Sequence, residues 1–319
     1  CWRKSLPIER IGLYIPGGTA PLFSTVLMLG IPAMLAGCKE IVLCSPADKN
    51  GKINPAILFA ANKCGIHEIY KVGGAQAIAA MGIGTNTIRK VDKIFGPGNQ
   101  YVTAAKQLIQ LRGISIDMPA GPSEVCILAD QTAHPSFIAA DLLSQAEHGV
   151  DSQVIFITDD ESILNEVLSE IELQLQMLMR KDIAMAALNN SKAILVSDLT
   201  TGIDLANIYA AEHLIIASEN AGDFITQIKH AGSVFLGNYT PESAGDYASG
   251  TNHTLPTNGY ARAYSGVSLD SYVKKVTFQQ ITPNGIVNLG NTIITMAEAE
   301  GLDAHAAAVK IRLKSINDV

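Results

Sequence analysis

The sequence has few cysteines and no paired ones. The five cysteines are Cys1, Cys38, Cys44, Cys64 and Cys126. Their number is odd, and none of them forms a Cys-x-x-Cys pair. Cys38, Cys44 and Cys126 lie in apolar surroundings that are typical of buried thiols. Free buried thiols indicate a reducing compartment, and we therefore expect a cytoplasmic protein.

A long basic run is also missing. The net charge is −7 and the isoelectric point is about 5.5, which speaks against non-specific nucleic-acid binding. The N-terminus lacks the layout of a signal peptide. It begins with Cys1 rather than Met, which indicates a fragment or a processed form.

One uncharged stretch, residues 11–38, raises the question of a membrane span. Glycines and prolines interrupt it, and its apolar part, residues 21–36, is shorter than the ~20 residues that a span needs. We therefore expect a buried helix here and no membrane association.

With 319 residues, 48% of them hydrophobic, the chain can bury a large core and divide into two domains or slightly more. Short β-branched runs alternate with helical patterns in its first part. The predicted strands are 41–44, 68–72, 93–95 and 114–116, and the predicted helices are 21–36, 55–63, 75–81 and 100–111. This alternation predicts a parallel sheet with helices on both faces.

The same alternation then repeats. Further strands are predicted at 125–128, 154–157, 193–196, 214–217 and 234–236, and further helices at 135–147, 161–179, 203–211 and 221–230. The fold class is therefore α/β, with two Rossmann-like doubly wound domains. The turn-rich segment 119–122 divides them, giving a first domain over 1–122 and a second over 123–267.

After residue 236 the alternation stops. A long irregular loop leads to a C-terminal tail, 268–319, which ends in a predicted helix over 304–316. A segment of this size is too small to hold a core alone, so we expect it to pack on another domain or another subunit.

Two pairs of polar residues stand at the ends of predicted helices. Gln145 and His148 are three apart and share a face, so both side chains can meet one metal, although this spacing also suits ordinary packing. Glu212 and His213 follow a helix and precede a strand. Such an adjacent acid and base can serve two proton transfers, or the histidine can simply interact with the helix end.

The loop 241–253 is rich in acids, glycines and hydroxyl-bearing residues and has no apolar periodicity, which is typical of functional loops. Asp246 can ligate a metal or hold a turn, and His253 is expected to organise the loop through hydrogen bonds. Glu300 and His305 open the terminal helix, with Asp303 as an N-cap, so capping is their alternative role.

Three glycine turns, at 14–18, 73–76 and 95–99, precede predicted helices. Such turns place backbone N–H groups at a helix N-terminus, where phosphate binds. None is a GxGxxG or P-loop motif. A structural turn explains any one of them, but three at similar strand ends favour a nucleotide crevice.

These residues, taken in order, resemble the histidinol dehydrogenase family. The likeness covers essentially the whole chain. It is carried by the segments at 14–18 (YIPGG), 72–78 (VGGAQAI), 95–99 (FGPGN), 117–124 (DMPAGPSE), 145–148 (QAEH), 211–213 (AEH) and the loop 242–253. The family has a further helical segment before the YIPGG motif, whereas only thirteen residues, Cys1 to Leu13, precede Tyr14 here.

The resemblance implies a role for each matching residue. The implied zinc ligands are Gln145, His148, Asp246 and His305. The implied substrate contacts are Ser123, His213 and Glu300 together with the four zinc ligands. Glu212 and His213 match the acid–base pair, and Tyr14, Gln76 and Asn99 match the NAD contacts.

The implied function is the NAD- and zinc-dependent oxidation of L-histidinol to L-histidine through L-histidinal, the last step of histidine biosynthesis. The resemblance also implies a homodimer in which the tail completes the partner's site. Two alternatives remain open. One is a zinc hydrolase, which also needs a metal and a glutamate base, and the other is a truncated, inactive metabolite-binding homologue.

Overall fold

The computed structural model describes residues 1–17 and 22–317. Gly18, the last glycine of the first predicted turn, and Pro21, the predicted start of the first helix, lie outside the described residues. The strands are β1 (Trp2–Pro7), β2 (Arg10–Tyr14), β3 (Glu40–Cys44), β4 (Glu68–Tyr70), β5 (Lys93–Phe95), β6 (Ser115–Ile116), β7 (Glu124–Ala129), β8 (Gln153–Thr158), β9 (Lys192–Leu195), β10 (His213–Ala217), β11 (Ser233–Leu236) and β12 (Val273–Phe278). The helices are α1 (Phe23–Ala36), α2 (Pro55–Lys63), α3 (Gly74–Ile83), α4 (Gln100–Gln110), α5 (Pro135–Ala146), α6 (Glu161–Leu175), α7 (Lys181–Leu188), α8 (Leu199–Tyr209), α9 (Glu242–Tyr247), α10 (Pro283–Ala299) and α11 (Asp303–Asn317).

Two five-stranded parallel sheets confirm the predicted fold class. The first has the order β4-β3-β2-β5-β6 and the second the order β9-β8-β7-β10-β11. Numbered within each sheet, both orders read 3-2-1-4-5, which is the Rossmann arrangement. All pairs in both sheets are parallel.

Hydrophobic layers cover both faces of each sheet. In the first sheet, Leu13 packs with α1 and α2 on one face, whereas Tyr14 packs with α3 and α4 on the other. In the second sheet, one core includes residues of α5, α6 and α7, and the other includes residues of α8. Because successive side chains of a strand point to opposite faces, each strand serves both layers.

The central strand of the first sheet, β2, is missing from the sequence prediction. All five of its residues are buried. Strands buried on both faces read as continuous apolar runs, so this one merged with the apolar helix that follows. The uncharged stretch 11–38 thus divides between β2 and α1, which has 14 residues, and none of the described helices has the length and apolar character that crossing a membrane requires.

Other helix predictions need correction in the second half of the chain. The helix predicted over 161–179 ends at Leu175, and α7 follows as a separate helix. The helix predicted over 221–230 is a 3-10 helix that ends at Gln227. Here the Asn207 side chain accepts hydrogen bonds from the N–H groups of Lys229 and His230, which takes both residues out of the helix.

The chain forms two compact units, one of residues 7–273 and one of residues 1–6 with 274–319. The second unit contains the short sheet of β1 and β12 and the helices α10 and α11. Only α11 is in the sequence prediction. Thr282, Pro283 and Gly285 look like a turn, yet Thr282 caps α10 by accepting from Gly285 N–H at 3.1 Å.

The division into domains at 1–122, 123–267 and 268–319 stays a prediction.

Asp303 is the first residue of α11 rather than its N-cap. All five cysteines are free thiols; Cys44 and Cys126 are buried, and Cys38 is half-buried.

Packing of α3 on α4 predicts a large difference between two glycine substitutions. A Cβ at Gly82 would lie 2.2 Å from Cγ1 of Ile109, whereas one at Gly222 meets no atom within 4 Å. We expect Gly82→Ala to destabilise the protein by about 1–3 kcal/mol through overpacking, and Gly222→Ala to leave stability nearly unchanged. Urea unfolding of both variants measures this, and equal midpoints would contradict the packing described.

Candidate active site

A pocket in the unit of residues 7–273 gathers many of the predicted site residues. Part of its wall comes from Pro16 and from Pro97 to Asn99, which follow the carboxyl ends of β2 and β5. Another part of the wall comes from Ser123, Glu212 and His213, at the amino ends of β7 and β10. The pocket therefore joins opposite ends of the two sheets.

His213 is held by a backbone group at the start of β7. The residue is 4% exposed, and its Nδ1 lies 3.1 Å from the carbonyl oxygen of Glu124. A carbonyl only accepts, so Nδ1 carries the proton and Nε2 is left as a base. Burial lowers the pKa of His213 to about 4, which keeps the ring neutral at pH 7.

Glu212 is held by the same residue. Its Oε2 accepts from the N–H of Glu124 at 3.0 Å, and it lies 3.7 Å from Nδ1 of His213. Burial raises the pKa of Glu212 well above its ordinary value, while the hydrogen bond from Glu124 opposes the rise. A carboxylate destabilised in this way is a stronger base than an exposed one.

The backbone around this pair is locally constrained. Ala210 adopts the left-handed conformation with φ of 58° and ends α8. A Cβ at residue 232 would lie 2.5 Å from the carbonyl oxygen of Glu212. Gly232 is therefore required there, since its lack of a side chain lets the incoming strand β11 approach Glu212 closely.

Three further residues form a cluster suited to a metal ion. Ligand atoms of His148, Glu242 and Asp246 lie within 4.8 Å of one another. Desolvation raises the pKa of Asp246, which His148 opposes. It also raises the pKa of Glu242, and the neighbouring acids Asp246, Glu212 and Asp141 add to that rise. A bound cation would relieve this repulsion, so the donor set fits a divalent metal.

Gln145 lies beside this cluster in the last turn of α5 and is 1% exposed. In the amide orientation that satisfies its neighbours, its nitrogen donates to both oxygens of Glu242, and its oxygen accepts from Glu124 N–H at 3.0 Å. His148 follows just after the C-cap of α5, and its N–H donates to the carbonyl of Gln145 at 3.2 Å. Desolvation lowers the pKa of His148, although the residue keeps an exposed edge.

The residues expected to contact NAD lie at the carboxyl end of the first sheet. Tyr14 ends β2, and its hydroxyl accepts from Gly74 N–H at 3.1 Å. Gln76 is exposed in the first turn of α3. Asn99 caps α4 through its side-chain oxygen, which accepts from Tyr101 N–H at 3.1 Å, and of these three residues it alone lines the pocket.

Sequence reasoning missed two residues that shape the site and gave a third a different role. Glu242 was given no role of its own, yet it is 2% exposed in the pocket wall. It opens α9, whose six residues are too few to show a periodic pattern. Glu124 received no role either. His253 was expected to organise its loop, but it lines the pocket, and its buried Nε2 has no hydrogen-bond partner among the described residues.

The other predicted residues lie in the second unit. Glu300 is the C-cap of α10, and His305 lies in the first turn of α11. Their roles as substrate contact and zinc ligand stay predictions.

Comparison with known proteins identifies the relatives of this chain. A histidinol dehydrogenase of Bacteroides fragilis (strain YCH46) is 65% identical over 316 residues, covering 99% of this chain and 74% of the relative. That of Colwellia psychrerythraea (strain 34H) is 56% identical, with 98% and 73% covered. The chain thus spans about three quarters of the length of these relatives.

Solved structures agree with this result. The crystal structure of histidinol dehydrogenase from Elizabethkingia anophelis has a TM-score of 0.97 at 65% identity, covering 99% of this chain and 73% of that chain. A putative aldehyde dehydrogenase, PutA of Anabaena variabilis, has a TM-score of 0.56 at 12% identity, covering 86% of this chain and 72% of that one, and so shares the fold alone. The sequence profile described as histidinol dehydrogenase matches residues 1–313, and with the identities above it shows that this chain belongs to the histidinol dehydrogenase family, oxidoreductases of histidine biosynthesis.

Proposed function

We propose that this chain oxidises L-histidinol to L-histidine through L-histidinal, using NAD and zinc. The observation that carries the proposal is the buried pair of Glu212 and His213, held by one residue of β7 beside the cluster of His148, Glu242 and Asp246. A neutral base, a carboxylate and a set of metal donors thus face one pocket. That pocket reaches the carboxyl end of a Rossmann-like sheet, where dinucleotides bind.

The donor set supports particular residues as ligands of the metal in this proposal. His148 and Asp246 are proposed ligands, with Glu242 close enough to share the ion or to bind a cationic substrate group. Gln145 is a proposed ligand from the family resemblance, and its amide, whose nitrogen donates to Glu242 here, would have to turn its oxygen towards the ion. Zinc accepts nitrogen and oxygen ligands of these kinds, although an amide oxygen is an unusual one. When bound, the metal supplies a Lewis-acid anchor for the imidazole and amine of the substrate.

The alcohol step requires a base for the hydroxyl proton. His213 is that base in the proposal: its Nδ1 proton is engaged by Glu124, so Nε2 faces the substrate in its neutral form. When bound, NAD accepts the hydride of each oxidation, so two NAD molecules are reduced for each histidinol. The proposed contacts to it are those of Tyr14, Gln76 and Asn99 at the carboxyl end of the first sheet.

The aldehyde step requires a water molecule, and Glu212 takes one of its protons in the proposal. Its carboxylate lies next to His213, in the same wall of the pocket. Ser123 also lines this wall and is a proposed substrate contact. In the proposal, each of the two adjacent bases therefore accepts one proton: His213 takes that of the alcohol, and Glu212 takes that of the water.

The proposed assembly is a homodimer in which each tail completes the site of the partner subunit with Glu300 and His305. The tail unit exposes large apolar side chains in its two helices, among them Leu289, Met296 and Ile311. A unit this small gains stability by covering such surface with another polypeptide.

Removing the metal should separate turnover from cofactor binding. The proposed ligands Gln145, His148 and Asp246 line the pocket near the amino end of the second sheet, and the glycine turns lie at the carboxyl end of the first. We expect chelation to abolish NADH formation from histidinol, while NAD binding by titration stays largely intact and added zinc restores turnover. A chelated sample that oxidises histidinol at full rate would remove zinc from the proposal, and histidinol binding without any turnover in zinc-loaded protein would favour an inactive homologue.

Substitution should separate the two halves of the reaction. Glu212→Gln keeps the shape but loses the base for water, so we expect it to damage histidinal oxidation more than histidinol oxidation. His213→Asn should impair both steps by roughly 10²–10⁴-fold, as is typical of a lost acid–base group.

Rates measured separately with histidinol and histidinal test this division. Glu147→Gln is the matched control, because Glu147 adjoins His148 but is absent from the pocket wall, and it should behave like the unaltered chain. Equal loss of both steps in Glu212→Gln would refute the assigned roles.

Mixing two inactive variants should test the shared site. His148→Ala and His305→Ala should each be inactive, but reassembly of an equal mixture should restore roughly a quarter of all sites, since each heterodimer then has one intact site. A mixture of His148→Ala with Asp246→Ala is the control, because both lesions fall on the same subunit's cluster and every site keeps one. If His305 serves its own subunit, the first mixture will stay as inactive as the control.

A further inference from the structure

A buried ion pair lies outside the residues that have been assigned a role. Lys106 in α4 and Asp117, directly after β6, form it within the first sheet and its covering helix. Their side chains are 2% and 1% exposed. Two charges buried so completely need every polar atom satisfied, so their partners show what the pair holds.

The pair forms hydrogen bonds with both the carbonyl and the N–H group of a single residue, Gly96. The ammonium of Lys106 donates to the carbonyl oxygen of Gly96 at 2.8 Å, and the N–H of Gly96 donates to Oδ2 of Asp117, also at 2.8 Å. The other oxygen of Asp117 accepts from Lys106 and from Met118 N–H at 2.7 Å. The ion pair thus fixes the position and the orientation of residue 96 from both sides.

Gly96 lies at the carboxyl end of the first sheet. It follows β5, which lies beside β2 in the order β4-β3-β2-β5-β6, so it borders the point where the strand order reverses. Its φ is +128°, and a Cβ there would lie 2.1 Å from the carbonyl oxygen of Tyr14. No other residue fits, and the chain beyond it leads straight into the pocket wall at Pro97, Gly98 and Asn99.

Stability alone is a poor explanation for such a pair. Replacing a buried ion pair by apolar residues of similar volume is often neutral or stabilising, whereas removing one partner is costly. A pair of opposite charges does, however, impose a fixed direction on the donors and acceptors it binds. Here those groups belong to the turn that faces the pocket.

We propose that Lys106 and Asp117 are positioning residues for the nicotinamide dinucleotide. They hold the Gly96 peptide and so set the 97–99 turn, together with the N-terminus of α4, in the geometry that receives the cofactor's pyrophosphate and ribose. Neither residue touches the cofactor or the reacting atoms. This inference rests on the proposed function, because it assumes that the crevice of the first sheet binds NAD.

The test compares three variants with a matched control. Asp117→Asn and Lys106→Gln each break the pair, and the double variant removes both charges, so that no unpaired charge remains to prevent folding. Arg10→Gln is the control: Arg10 is 5% exposed in the same sheet and pairs with Glu40 and Glu68, but it lies at the amino end of β2, away from the crevice.

NAD affinity of the zinc-loaded protein is measured by calorimetric titration well below each variant's unfolding temperature, beside KM for histidinol. We expect the Asp117→Asn and double variants to bind NAD about tenfold more weakly, the effect of one displaced hydrogen-bonding group. Their KM for histidinol should not change. Arg10→Gln should lower the unfolding temperature but keep the NAD affinity of the unaltered chain.

The outcomes separate the inference from the proposed function. Unchanged NAD affinity in all the folded pair variants would overturn the inference, and so would an equal loss of affinity in Arg10→Gln, because that would show general damage to the sheet. If the unaltered chain binds no NAD, the proposed function fails and the inference fails with it. A loss of NAD affinity confined to the pair variants supports both.

Discussion

The peptide groups of Glu124 are the constraint on which the candidate site depends. The N–H of this residue donates to Glu212 and its carbonyl accepts from His213, so one residue at the start of β7 orients both proposed bases. This is possible because β7 and β10 are adjacent and parallel, with His213 paired to Val125. The register of the second sheet therefore determines the tautomer of His213, and through it which ring nitrogen is left as a base. A shift of one residue in that register would turn every side chain of β10 to the opposite face of the sheet.

The two sheets share one strand order but present opposite ends to the pocket. In the first, the carboxyl ends do so, as the rule for open parallel sheets predicts. In the second, the corresponding point between β7 and β10 is closed by side chains: Asp130 accepts from the hydroxyls of Ser218 and Thr132, and Asn238 donates to the carbonyl of Thr132. The crevice expected at those carboxyl ends is thus filled by its own hydrogen bonds. The proposed acid–base pair lies at the amino ends instead, where the left-handed conformation of Ala210 and the missing side chain of Gly232 let the chain pass close to Glu212.

Local signals predicted much of the fold and failed where the determining contact is distant. The alternation of short β-branched runs with helical patterns predicted both parallel sheets, and the helix predicted over 55–63 has the bounds of α2. The end of the 3-10 helix at Gln227 depends instead on Asn207, 20 residues earlier in the chain. Strand β2 shows another limit, because burial on both faces removes the alternation that would reveal it. Hydrophobic periodicity shows which face of one element is exposed. The end of the 3-10 helix and the burial of β2 result instead from contacts with other elements.

The candidate site shows the same contrast between residues found from local signals and residues that depend on distant contacts. Gln145, His148, Glu212, His213 and Asp246 were all proposed from their sequence neighbourhood or from resemblance, and all line one pocket. Glu124 and Glu242 were not, because each acts only through residues far away in the sequence: Glu124 through Glu212, and Glu242 through Gln145 and His213. An isolated glutamate has no spacing that distinguishes a solvated side chain from a buried one. What distinguishes Glu242 is the cost of burying a carboxylate, which is tolerable only where donors or a cation surround it, whereas Glu124 acts through its peptide groups. Buried acids that share partners are therefore the physical mark of this site, and that mark exists only once the sheets have assembled.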